Sequence, residues 1–119
     1  MSYDISFKVK VEGIDRYVTV GDCSANTTWN VREMIVKSTG LEWKNCQNNG
    51  LVKDIMPYIF RGYAQLLNFP EKYKQYEASN GWGTVESTMG FFKNIIEAWE
   101  DFCKWEDKEI TDIATFWIE

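Results

Sequence analysis

The residues best suited to chemistry lie in two short polar-aromatic segments, "NTTWN" at 26–30 and "NGWG" at 80–83. Each leads into a stretch that reads as a helix. A helix N-terminus preceded by glycines offers free amide N–H groups to a phosphate or carboxylate. A tryptophan beside it offers a face on which a base or ring can stack. The expected site therefore comprises Trp29 and Asn30 from the first segment and Asn80, Gly81, Trp82, Gly83 and Thr84 from the second. Tyr73 lies just upstream, and Arg32, Arg16, Arg61, Lys72 or Lys74 would supply counter-charge. Trp82 would stack and the 83–86 amides would hold an anion. A packing reading uses the same residues. Asn80-Gly81 makes a turn with positive φ, Thr84 caps the helix, Glu86 complements its dipole, and Trp82 folds inward as a core plug.

Other chemistry is excluded. The chain has no histidine, which removes Ser-His-Asp and Cys-His catalysis and the usual zinc and iron sites. Cys23, Cys46 and Cys103 are too few for a four-thiolate zinc site and too scattered to suggest a bridge. Free thiols, and no leader pattern at residue 1, lead to the expectation of a reducing cytoplasm. No phosphate-binding glycine motif of the nucleotide-triphosphatase or dinucleotide type is present. Carboxylates one turn apart, such as Glu97 and Asp101, usually form a solvated helix face. No enzyme activity, metal or cofactor is expected.

Charge is uneven. Residues 97–119 hold eight acids and two bases, a net −6, while residues 1–96 hold ten acids and eleven bases, a net +1. This is the wrong sign for direct nucleic-acid binding. An acidic surface of Glu97, Glu100, Asp101, Glu106 and Asp107 could instead engage a basic protein partner. No apolar run approaches the ~20 residues of a membrane span. Sequence leaves homo-oligomerisation open.

The elements that must position these residues follow from periodicity. "ISFKVKV" (5–11) alternates, a turn follows at "EGID", and "RYVTV" (16–20) returns, giving a hairpin. Residues 21–30 read as a loop. A helix is expected over 29–38, with Thr27 or Thr28 as N-cap, Val31, Met34, Ile35 and Ser38 inward, and Gly40 as its stop. Residues 41–50 read as a second loop. A helix over 55–68 is expected, with Asp54 as N-cap so that Pro57 falls in the first turn, and with Ile55, Ile59, Tyr63, Leu66 and Leu67 inward. Phe69-Pro70 ends it, and a short helix with Pro70 at its first position follows over 70–76. The longest helix is expected over 85–105. Its stripe is Val85, Met89, Phe92, Ile96, Trp99 and Cys103, widened by Ile95 and Phe102. Residues 109–118 read as a closing strand with Ile110, Ala114, Phe116 and Ile118 on one face. The result is one α+β domain of order β-β-α-α-(α)-α-β, an antiparallel sheet with three to four helices on one face.

The stretch "FPEKYKQYEASNGWGTVESTMGFFKNIIEAW" (69–99) resembles a family of small uncharacterised bacterial and phage proteins. Their pattern is "NPE(K/R)Y…NPxNGWG(D/T)YE" before a helix of the "FLxxLLEAC" kind. The resemblance extends over roughly 15–103 and is most specific at 69–84. Pro70, Glu71, Tyr73, Asn80, Gly81, Trp82, Gly83 and Glu86 match, as does Asn30 in the first segment. Phe69 replaces the family's Asn, and Ala78-Ser79 replaces its Asn-Pro step. The resemblance implies an accessory or counter-defence protein of phage or mobile-element type. Together these readings give two expectations: a non-enzymatic binder of a small anionic or nucleotide-like ligand, such as a host immune signal, or an acidic inhibitor of a basic host protein, a nuclease or other nucleic-acid-binding defence protein.

Overall fold

A computed structural model describes residues 1–119. The alternation of 5–11 does form a strand, extended at its start: β1 spans Ser2–Val11 and pairs antiparallel with β2, Arg16–Val20. Its odd residues Tyr3, Ile5, Phe7 and Val9 are buried, while Ser6, Lys8 and Lys10 lie on the other face. A third strand, β3 (Asn26–Thr28), pairs with residues 2–4 of β1. Thr28 then caps a 3-10 turn over 29–31, and α1 runs Arg32–Thr39. Gly40 ends α1 in the left-handed conformation at φ 74°, where a side chain would be strained. Val31, Met34, Ile35 and Ser38 are all buried, as the spacing requires.

Residues 41–50 are not a plain loop. β4 (Gln47–Leu51) emerges from them, and Trp43 is fully buried against Tyr3, Phe91 and Phe116. The sequence "QNNG" conceals this strand because polar residues and glycine disfavour strands; pairing with its neighbour overrides that preference. α2 follows at once over Val52–Asn68. It begins three residues before the expected start, so Asp54 is not its N-cap and Pro57 lies beyond the first turn. Pro57 is exposed, and its missing N–H deprives the Lys53 carbonyl of its helical donor. Ile55, Ile59 and Leu66 are buried, but Leu67 is exposed.

α3 (Pro70–Tyr73) continues into a 3-10 turn over 74–76, and α4 spans Val85–Trp105. Val85, Phe92, Ile95, Ile96 and Phe102 are buried, whereas Cys103 has rotated out to solvent. The expected closing strand divides in two: α5 covers Lys108–Ile113 and β5 only Thr115–Ile118. Ala114, Phe116 and Ile118 are buried and Ile113 is exposed.

The sheet order is β2-β1-β5-β4, fully antiparallel, with β3 beside the start of β1. The fold is α+β, and its inner sheet face and the apolar stripes of α1, α2 and α4 share one core of 24 buried residues. On the opposite sheet face the Lys8 ammonium sits 4.6 Å from the centre of the Trp117 ring, which meets Tyr17 edge-on at 5.1 Å. No helix is long and apolar enough to cross a membrane.

Candidate functional site

Thr84 and Ser87 form a reciprocal cap at the start of α4. The Ser87 N–H donates to Thr84 Oγ1 at 3.0 Å, and the Thr84 N–H donates to Ser87 Oγ at 2.8 Å. Upstream, the Asn80 side chain accepts from the Trp82 N–H at 3.0 Å. The Gly81 N–H donates to the Ala78 carbonyl, and the Ala78 N–H to the Gly83 carbonyl, which closes the loop on itself. The backbone of the NGWG segment is thus fixed by its own hydrogen bonds.

This loop is docked on the first segment. Asn30 Nδ2 donates to the Trp82 carbonyl at 3.1 Å. Gly83 is buried at φ +119°, and a Cβ there would lie 2.6 Å from Val31 Cγ1 and 3.2 Å from Thr28 Cγ2. Only glycine permits that approach. The two segments, 52 residues apart, therefore do sit together. Between them opens a cleft of about 590 Å³, bounded by Ser2, Asn26, Thr27 and Thr28 on one side and Gly81, Trp82, Gly83 and Ser87 on the other, with Met1 at its rim. Trp82 is 71% exposed and lines this cleft, so the core-plug reading of its ring is overturned.

Other expected residues lie elsewhere. Trp29 stacks on Tyr3 with centroids 5.9 Å apart and donates from Nε1 to the Ser2 carbonyl, so it buttresses β3 behind the cleft. Tyr73 is core: its hydroxyl donates to Gln65 Oε1 at 2.7 Å, and burial pushes its phenol pKa up. Arg32 donates to Asn45 Oδ1. Arg61 donates to the Ser38 carbonyl at the end of α1, Lys74 pairs with Glu71, and Lys72 lies over the Tyr73 ring. No lysine or arginine lines the cleft.

The anion seat at the start of α4 is also filled from within. Glu77 Oε2 accepts from the Val85 N–H at 2.8 Å, while the Thr84 and Ser87 amides serve the cap. A carboxylate of the chain itself thus occupies the positive end of the helix dipole. Ser2, Asn26, Thr27 and Ser87 were not anticipated as lining. Nothing local marks Ser2, because pairing of β3 with residues 2–4 is what brings it opposite Trp82. What the cleft offers is one exposed indole, hydroxyls and an amide, with no charged side chain in its lining.

The acidic residues Glu97, Glu100, Asp101, Glu106 and Asp107 are all exposed, and of these only Glu97 has an intrachain cation, Lys93 at 3.9 Å. There is no cluster of three or more acidic or thiol groups suited to a metal ion. No family model, curated protein or solved structure matches the chain.

Proposed function

We propose that this protein is a non-enzymatic binder of a small ring-bearing molecule, held in the cleft between β3 and the NGWG loop. The observation that carries this reading is the exposed Trp82 ring on a self-locked loop, facing a wall of hydroxyl and amide groups. A rigid aromatic platform lowers the ordering cost of binding. A lining without a lysine or arginine side chain favours the base and sugar of a nucleoside-like ligand, or a simple sugar, over a phosphate group. The family resemblance at 69–84 adds a phage-type accessory role, in which the chain sequesters such a molecule.

The test is a thermal-shift and fluorescence titration with nucleosides, their monophosphates and monosaccharides. A nucleoside or sugar should raise Tm and quench tryptophan emission, and monophosphates should bind no better. Trp82→Ala should abolish both responses and leave the melt of the free protein nearly unchanged, since the ring is exposed. No response from any of the three compound classes, or binding that survives Trp82→Ala, would sink the proposal.

Glu100 and Asp101 of α4, exposed and without an intrachain cation, support a second reading, capture of a basic protein partner. Reversing Glu97, Glu100 and Asp101 together should then abolish capture of that partner and spare ligand binding. Capture that persists after reversal rules this reading out.

A further inference from the structure

The two edges of the sheet are unlike. β4 is a guarded edge: it is polar, and its pairing with β5 shifts register between Asn48 and Leu51. Irregularity of this kind keeps an edge from recruiting another strand. β2 has no such guard. Its sequence is RYVTV, it contains no proline, and it runs in unbroken register with β1 from Phe7↔Val20 to Val11↔Arg16.

The free groups of that edge follow from parity. Asp4 exchanges both backbone hydrogen bonds with Glu119, so the even residues of β1 face β5 and the odd ones face β2. Phe7, Val9 and Val11 therefore bond to Val20, Val18 and Arg16. The N–H and C=O groups of Tyr17 and Thr19 point outward, and no other segment bonds to them.

Beside the same edge lies a second pocket of about 350 Å³. It forms where the chain leaves β2 and meets the end of α4, between Gly21, Asp22, Asp101, Phe102, Trp105 and Glu106. Three of these are acids, and none of the chain's seven ion pairs involves them. Trp105 is 80% exposed at its rim. Arg16, on the helix-facing side of β2 with Val18 and Val20, also lacks an ion-pair partner.

We propose that two copies of this chain associate through β2, antiparallel about a two-fold axis at Val18, each inserting Arg16 into the other's acidic pocket. With Val18 opposite Val18, Tyr17 faces Thr19 of the second copy, and these two residues hold the outward groups. Four main-chain hydrogen bonds form, two on each side of the axis. Arg16 then stands opposite Val20 of the second copy as a non-hydrogen-bonded pair, about 4.5 Å apart at Cα. It lies on the helix-facing side, one residue from Gly21 and two from Asp22. The guanidinium meets the uncompensated carboxylates, and Trp105 offers it a ring face. The contact is self-complementary, as a two-fold interface must be. A single strand pair is smaller than the ~1,200 Å² of a stable interface, so the dimer is weak and concentration-dependent.

The experiment is sedimentation equilibrium from dilute to millimolar protein, with amide exchange measured at both ends. The native chain should dimerise, and the Tyr17 and Thr19 amides should gain protection only at high concentration. Arg16→Glu and Asp101→Arg should each raise the dimer Kd at least ~10-fold. The double variant should return it to near the native value, which isolates the pair from general charge effects. Both side chains are exposed, so folding should be unaffected. A chain that stays monomeric, a dimer whose Tyr17 and Thr19 amides exchange freely, or a double variant without rescue would each overturn the proposal.

Discussion

Gly83 ties the two halves of the cleft together through the absence of a side chain. Its φ of +119° and the 2.6 Å gap to Val31 mean that Gly83→Ala is strained in both backbone and packing. The expected cost is about 1–3 kcal/mol by chemical denaturation. The Asn30–Trp82 hydrogen bond should break with it, so ligand response falls as well as stability. Glu119 gives a prediction with a sign. The Ser6 hydroxyl donates to its carboxylate at 2.7 Å, and with Lys8 it holds the carboxyl below the usual range. A carboxylate with a depressed folded pKa adds stability at neutral pH. That stability is lost as pH falls from the ordinary ~4.3 through the folded value. Ser6→Ala should therefore reduce the loss of stability in acid, by less than ~1 kcal/mol because the pair is half-exposed. Unfolding curves at neutral pH and below pH ~4 measure the difference.

Elements with one strong period were legible. The hairpin and α4 follow from alternation and a 3-4 stripe, because burial of one face is what those periods encode. β4 was not, since its order comes from pairing with β5 and from Trp43 beneath it, neither of which is local. α5 reads as a strand because Ile110, Ala114, Phe116 and Ile118 keep one parity, although 108–113 is helical. The candidate site was half legible for the same reason. Capping chemistry announces Asn80 and Thr84, whereas Ser2 and Asn26 reach the cleft only through strand pairing. Trp43 offers the test at this scale. It is fully buried and its Nε1–H has no partner. Trp43→Ala should cost about 3–5 kcal/mol. Trp43→Phe should cost far less, because removing an unpaired buried N–H offsets part of the lost volume.

At the scale of the whole molecule, the sheet is assembled from the extremes of the sequence. β5 lies between β1 and β4, and Thr115 Oγ1 donates to the Lys8 carbonyl across 107 residues. Removing residues 115–119 would take out a central strand and, with Phe116 and Ile118, part of the core. The expected outcome is loss of the cooperative thermal transition, read by near-ultraviolet circular dichroism. The molecule is also longer than its size requires. Its radius of gyration is 14.5 Å against about 13.5 Å for a compact chain of this length, and residues 11–18 of the hairpin are mostly exposed.

The central position of β5 has a consequence for biosynthesis. At about 5–20 residues per second, the ribosome completes β5 roughly 5–20 s after β1. During that interval the nascent hairpin has nothing to pair with on the side that will become the middle of the sheet. β5, the last strand to emerge, thus takes its place between two strands that were made before it.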